Sequence, residues 1–102
     1  MPTRKLGRTS LDLSVLGFGS APLGGMYKPS SDADAIAAVQ AAFDAGIRYF
    51  DVAPHYGQGL AELRLGRGLS AAPSDKCVVG TKVGRLLEPI SRKFCGRLPD
   101  LA

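Results

Sequence analysis

Three side chains in this sequence have the types and spacing needed for proton transfer: Asp51, Tyr56 and Lys82. A tyrosine exchanges a proton near neutral pH only if its phenolate is stabilised, and an adjacent ammonium group stabilises it. A carboxylate beside the lysine keeps that ammonium charged. Brought together, the three side chains would form a general acid/base relay for a carbonyl oxygen.

The same residues also have purely structural interpretations. Asp51 could cap a loop, Tyr56 could pack on the rim of the fold, and Lys82 could be a solvated strand end. Spacing alone leaves both interpretations open. His55, the single histidine of the chain, is by itself more often a loop residue than a catalytic one.

The elements around these residues alternate between extended and helical patterns. Ser31 and Asp34 form a capping box that predicts the start of a helix, and Gly46 predicts its end. Apolar residues at helical spacing predict a buried face in each of two helices: Ile36, Val39 and Phe43 in the first, and Ala61, Leu65 and Leu69 in the second. The predicted order is a hairpin at 4–13, strands at 14–20, 47–53 and 76–83, and helices after Ser31 and over 60–69.

The three predicted strands are apolar runs rather than alternating ones, which is typical of a parallel sheet covered by helices. In such a sheet, functional groups collect at the carboxyl ends of the strands. Asp51 and Lys82 are predicted at the ends of neighbouring strands, and Tyr56 in the loop after Asp51. The three side chains are therefore expected to meet at one edge.

Two nucleotide-loop motifs fail. Gly17 and Gly19 are followed by Pro22 where a dinucleotide-binding fingerprint requires a third glycine, and no capped helix begins there. The segment VVGTKV, residues 78–83, lacks the earlier glycine of a phosphate-binding P-loop.

Composition narrows the class of protein. The 102 residues are 45% hydrophobic and 22% charged, as expected for one globular domain. The net charge of +4 comes from the two ends of the sequence, which argues against a nucleic-acid-binding face. Cys77 and Cys95 lack zinc-ligand spacing, so no metal site is expected. No segment is long and apolar enough to span a membrane, and a cytoplasmic location is expected.

Three segments give the sequence a strong resemblance to the aldo/keto reductases. They are RKLGRTSLDLSVLGFGSAPLG, AGIRYFDVAPHYGQGLAELRLGRGL and VVGTKVGR, and they cover residues 3 to about 87. The resemblance implies an α/β fold, the N-terminal part of a (β/α)8 TIM barrel, with a β-hairpin before about three βα units. The family's fold and chemistry then imply an oxidoreductase that interconverts a carbonyl and an alcohol with NADP or NAD.

The resemblance also assigns roles to individual residues. Tyr56 would be the general acid, with Lys82, paired to Asp51, stabilising its phenolate. Gly19 and Ser20 would lie near the nicotinamide end of the cofactor. The segments APLGGMY and PHYGQGLAELRLG are most similar to the branch that oxidises L-fucose, D-threo-aldoses, L-galactose or pyridoxal, which implies a small sugar or aldehyde substrate.

The sequence departs from the family in three respects. Val52 replaces the threonine usual in that branch, no histidine after His55 matches the fourth catalytic residue, and the segment 84–102 fits the family poorly. Residues 1–102 are therefore expected to form one partial barrel, the front part of a reductase interrupted by a gene break, a frameshift or deliberate truncation, with no turnover alone. The alternative is a non-catalytic α/β module for binding or assembly, and an open sheet edge could allow self-association.

Overall fold

The computed structural model describes residues 1–89. It begins with two short antiparallel strands, β1 (Thr3–Lys5) and β2 (Asp12–Ser14), in the segment for which the sequence predicts a hairpin. The turn between them is held by hydrogen bonds between Leu6 and Leu11 and between Thr9 and Leu6. Most of the predicted tail, residues 90–102, lies outside the described part of the chain.

A parallel sheet follows, with β3 (Gly17–Gly19), β4 (Tyr49–Asp51) and β5 (Val78–Gly80) side by side in that order. The register aligns Gly19 with Asp51 and Asp51 with Gly80, so the three strands end at one edge. This arrangement confirms the predicted α/β class with a parallel sheet.

Each parallel strand is three residues long, shorter than the sequence predicts. Ser14 shows the physical reason for the late start of β3. It pairs in the hairpin with Thr3, and its buried hydroxyl accepts a hydrogen bond from the Arg48 amide at 2.8 Å. The chain therefore changes from one sheet to the other between Ser14 and Gly17.

Helix α1 (Asp32–Asp44) connects β3 to β4, and helix α2 (Leu60–Gly68) connects β4 to β5. The Ser31 hydroxyl accepts a hydrogen bond from the Asp34 amide at 3.1 Å, as the capping box predicts. After α1, Gly46 adopts a φ of +103°, which a glycine tolerates without strain. The two helices cover one face of the sheet.

The core lies between that face of the sheet and the helices. Phe50 and Val52 point into it from β4 and its extension, and Phe18 packs on Phe50 with ring centroids 5.7 Å apart. Leu65 of α2 is buried against the same cluster, as predicted. Because side chains alternate along a strand, Tyr49 and Asp51 of β4 lie on the opposite face.

The buried face of α1 agrees with the prediction at Val39 and at Phe43, which packs against the core, but differs from it at Ile36. Ala35, Val39 and Ala42 are buried, whereas Ile36 is only half-buried. The reason is close helix packing: a Cβ on Gly68 of α2 would stand 2.6 Å from the Val39 Cβ. Small residues let the two helices approach, and the larger Ile36 stays at the side.

Within residues 1–89, no helix has the length and apolar character needed to cross a membrane. Residues 81–89 follow β5 without helix or strand. Val79 of β5 keeps 49% of its surface exposed on the helix-facing side of the sheet.

Candidate active site

Lys82 and Asp51 form the centre of the candidate site. The Lys82 ammonium donates hydrogen bonds to both oxygens of the Asp51 carboxylate, at 3.2 Å and 3.0 Å, and to the carbonyl of Val52 at 3.1 Å. Asp51 is the last residue of β4, and Lys82 follows the end of β5 by two positions. The side chains that were predicted to meet at the ends of neighbouring strands, Asp51 and Lys82, therefore form an ion pair.

Tyr56 lies beside this ion pair. The Lys82 nitrogen is 5.0 Å from the centroid of the Tyr56 ring, within the range of a cation–π contact. The pKa of Lys82 is raised above its ordinary value, first because Asp51 accepts its hydrogen bonds and second because of the Tyr56 side chain. The structure thus brings the three sequence-predicted side chains together.

The loop that carries Tyr56 has an unusual backbone. Gly57, Gln58 and Gly59 follow it with φ values of +67°, +51° and +94°, so three successive residues are left-handed. The Tyr56 carbonyl then accepts a hydrogen bond from the Ala61 amide, at 3.1 Å, in the first turn of α2. These contacts fix the backbone position of Tyr56 within the loop.

A second loop packs tightly against this one. Residues Ala21–Gly24 form a short 3₁₀ helix after β3, and a Cβ on Gly24 would stand 2.5 Å from the Tyr56 carbonyl carbon. A Cβ on Gly57 would be equally close to the Gly24 backbone. No side chain fits at either position without moving the backbone at Tyr56.

An open depression of about 230 Å³ adjoins Tyr56 and Lys82. Its lining includes Tyr56 and Lys82 together with Pro54, Val83 and Arg85. It can admit a small polar molecule from solvent to the Tyr56 side chain. The sequence did not predict that Val83 and Arg85 line this depression, because neither residue belongs to a recognisable motif.

The two residues expected near a cofactor differ in their accessibility. Gly19 is exposed, and no atom lies within 4 Å of the position that a Cβ would take there. A flat ring could therefore approach the Gly19 backbone beside its register partner Asp51. Ser20 is anchored by a hydrogen bond from its amide to the Asp51 carbonyl at 2.9 Å, but its side chain is fully buried.

Two buried polar atoms in this region have no hydrogen-bond partner among the described residues: the Ser20 hydroxyl and His55 Nδ1. Because both atoms are shielded from solvent, a ligand reaches neither without a movement of the chain. His55 lines the depression without contacting the ion pair through a hydrogen bond in residues 1–89. No cluster of metal-ligating side chains occurs in this part of the chain.

Comparison with known proteins gives a consistent set of matches. The model of the Aldo/keto reductase family matches residues 15–97. The chain is 53% identical over 79 residues to a D-threo-aldose 1-dehydrogenase from Pseudomonas sp, covering 78% of this chain and 24% of that protein. It is 55% identical over 84 residues to a pyridoxal 4-dehydrogenase from Microbacterium luteolum, covering 82% of this chain and 24% of the relative.

An L-galactose dehydrogenase from Arabidopsis thaliana is 46% identical over 87 residues, which are 83% of this chain and 27% of that protein. Among solved structures, the holo form of an aldo-keto reductase from Bacillus halodurans superposes with a TM-score of 0.75 at 34% identity. The superposition covers 86% of this chain and 28% of that one. The chain thus spans 24% to 27% of the length of these curated relatives.

Proposed function

The chain belongs to the aldo/keto reductase family, as its sequence resemblance predicted, and its described residues correspond to the N-terminal part of a TIM barrel. From this premise we propose that Asp51, Tyr56 and Lys82 form the proton-transfer site of an NAD(P)-dependent oxidoreductase. The proposed reaction interconverts a carbonyl and an alcohol on a small sugar or aldehyde. The observation that carries this proposal is the Lys82 ammonium, bonded to both Asp51 oxygens and placed 5.0 Å from the Tyr56 ring centroid.

Each residue has a distinct part in the proposed chemistry. In the direction of reduction, the Tyr56 hydroxyl donates its proton to the oxygen of the carbonyl, which becomes the alcohol hydroxyl. Lys82 stabilises the phenolate that remains, and Asp51 keeps Lys82 charged and oriented. In the direction of oxidation, the Tyr56 phenolate accepts the alcohol proton.

A bound nicotinamide cofactor, NADP or NAD, supplies or accepts the hydride in this family's chemistry. Gly19 is the described residue that best suits contact with the nicotinamide, because it is exposed and open beside Asp51. Ser20 holds the same strand end through its amide hydrogen bond to Asp51. Its buried hydroxyl supports a positioning contribution from the backbone rather than direct contact.

The substrate class is proposed from the relatives and from the depression at Tyr56. Three relatives are named for a D-threo-aldose, pyridoxal and L-galactose, each of which carries or forms a carbonyl group. The depression is open and large enough for such a molecule, and Arg85 and Lys82 give it a polar side. Its size therefore suits a small sugar or aldehyde better than a large ligand.

We further propose that the 102-residue chain has no measurable turnover alone. The side chains of Lys82 and Asp51 are 48% and 41% exposed, so water screens their interaction and competes for the carbonyl oxygen. Proton-transfer sites of this kind depend on exclusion of water to strengthen their electrostatics.

The catalytic role is tested with a chimaera. Residues 1–87 of this chain replace the corresponding segment of the Pseudomonas D-threo-aldose 1-dehydrogenase, and sugar oxidation with NAD+ or NADP+ is measured. We expect turnover in the chimaera and none in the 102-residue chain. Tyr56→Phe in the chimaera should lower kcat by roughly 10²- to 10⁴-fold, the usual contribution of a general acid or base.

The matched control is Tyr27→Phe. Tyr27 is 78% exposed and outside the depression, so its hydroxyl should be dispensable. A folded chimaera that is inactive, or one whose activity is unchanged by Tyr56→Phe, would contradict the assignment of Tyr56. Turnover by the isolated chain would contradict only the proposed inactivity.

A second candidate function is a non-catalytic α/β module for binding or assembly. It is favoured by one observation: in the described sheet, β5 pairs only with β4, and Val79 of β5 is half-exposed. A monomer that melts cooperatively and binds neither NAD+ nor NADP+, together with an inactive chimaera, would favour this alternative.

A further inference from the structure

We propose that Glu62 and Thr81 act as positioning residues that hold Lys82 in place beside Tyr56. This inference rests on the proposed function, because it concerns the geometry of the same site. The Thr81 hydroxyl donates a hydrogen bond to Glu62 Oε2 at 2.9 Å, across 19 positions of sequence. Neither residue contacts the Asp51 carboxylate through a hydrogen bond in residues 1–89.

Thr81 occupies the junction between the sheet and the candidate site. Gly80 is the last residue of β5, and its carbonyl accepts a hydrogen bond from the Val52 amide at 2.9 Å. Thr81 follows, and Lys82 comes next. Residues 81–89 are all exposed and belong to no helix or strand, so the sheet alone does not fix the path of the chain at Lys82.

Glu62 lies in the first turn of α2 and is half-buried. Its position there is stable in its own right, since the positive end of the helix dipole favours an acidic side chain. The Thr81 hydroxyl therefore donates to a side chain whose position is fixed by α2. This hydrogen bond fixes the position of Thr81, the residue before Lys82, relative to α2.

The same turn of α2 also holds Tyr56. The Ala61 amide donates to the Tyr56 carbonyl at 3.1 Å, and Ala61 is fully buried. Adjacent residues of one helical turn thus anchor Tyr56 on one side, through Ala61, and Lys82 on the other, through Glu62 and Thr81. The separation of the ammonium from the phenol ring is set by this turn as well as by the Asp51 ion pair.

The effect of nearby charges on the pKa of Lys82 must be distinguished from the effect of its position. The groups that face it are Asp51 from β4, Tyr56 from the following loop, and Arg85 and His55, which line the same depression. Glu62 could influence Lys82 by its charge alone. Glu62→Gln removes that charge but keeps an oxygen that accepts from Thr81.

The test follows Lys82 in the full 102-residue chain by NMR titration of ¹³C-labelled lysine, with its resonance assigned from Lys82→Arg. In Thr81→Val, which keeps the side-chain shape without the hydroxyl, we expect part of the upward pKa shift of Lys82 to be lost. Thr81→Ser and Glu62→Gln should both retain it, because each preserves the hydrogen bond. Circular dichroism verifies that every variant is folded, which the exposure of Thr81 favours.

An unchanged Lys82 titration in Thr81→Val would overturn the proposal, and so would a loss in Glu62→Gln as large as in Thr81→Val. In the chimaera, Thr81→Val should lower kcat roughly tenfold with little change in KM, since the substrate is not touched. The NMR titration does not depend on turnover. An inactive chimaera with the expected titration pattern would count against the proposed function and leave the positioning intact.

Discussion

At the scale of single residues, the ion pair between Asp51 and Lys82 is the feature on which the site depends. The ammonium has three hydrogen-bond acceptors, two from Asp51 and one from Val52. This saturates its three donors, so Lys82 is held in its charged form. Tyr56 gains an adjacent cation, whose nitrogen lies 5.0 Å from the centroid of its ring.

We predict that Asp51→Asn lowers the pKa of Lys82 towards the ordinary value of a lysine. Asp51 is the largest cause of the upward shift and Tyr56 a smaller one, so Tyr56→Phe should lower the pKa less. The lysine NMR titration measures both variants. Equal effects of the two substitutions, or an unchanged pKa in Asp51→Asn, would show that the carboxylate is not the main partner.

The same shift fixes the sign of a pH effect on stability. Because the pKa of Lys82 is higher in the folded chain than in the unfolded chain, the pair stabilises the fold below the unfolded value of 10.5. The contribution is lost as the pH rises through the folded value. The stability difference between wild type and Asp51→Asn should therefore shrink as the pH rises through the folded pKa of Lys82, and high salt should reduce it at neutral pH.

The sequence predicted these three side chains because strand ends and residue chemistry are both visible in it. It could not predict that Tyr56 presents its ring to Lys82, since that depends on three left-handed residues, including Gln58, in the following turn. It also could not predict that the Ser20 hydroxyl is buried. Side-chain direction at a strand end is set by the loop that follows, not by the strand.

At the scale of elements, Arg64 holds α2 against the loop before α1. Its side chain is 8% exposed and donates to Asp32, to the Leu23 carbonyl at 2.7 Å and to the Ser30 carbonyl at 2.9 Å. Sequence reasoning missed this residue. The signal was present, because Arg64 falls between Ala61 and Leu65 on the face of α2 that is otherwise apolar, and a charge there requires partners.

We predict that Arg64→Met destabilises the fold by about 3 kcal/mol, because it leaves buried carbonyl groups without donors. Arg67→Met is the matched control. Arg67 also reaches Asp32, at 3.6 Å, but is 53% exposed, so its loss should cost less than about 1 kcal/mol. Urea unfolding followed by circular dichroism measures both, and equal losses would mean that the buried contacts of Arg64 contribute little.

Helix positions followed from the sequence because caps and apolar spacing are local signals. The end of β2 and the start of β3 did not, because the switch at Ser14 depends on the Arg48 amide, 34 positions away. The buried face of α1 includes Ala35 rather than the predicted Ile36 for a related reason. Small residues are favoured on that face only because α2 packs closely against it.

At the scale of the whole molecule, the sheet has a side that the described residues leave open. In the described sheet β5 pairs with β4 alone, and a groove of about 170 Å³ runs beside it between Val79, Leu65 of α2 and Leu69, which follows that helix. The periodicity of the sequence predicted a parallel sheet covered by helices. The periodicity could not show which strand stays exposed, because the exposure of a strand depends on the elements that pack beside it.

We propose that this open side associates with a second copy of the chain, since a strand whose outer edge has no partner among residues 1–89, and whose neighbours are apolar, is a template for pairing. The expected result is concentration-dependent association in analytical ultracentrifugation. Val79→Lys should weaken it roughly tenfold, because a half-exposed valine contributes about 1.5 kcal/mol when its remaining apolar surface is buried. The control is Leu63→Lys, since Leu63 is 51% exposed on α2 but does not line the groove. A chain that stays monomeric at all concentrations, or one that responds equally to both substitutions, would place the contact elsewhere than β5.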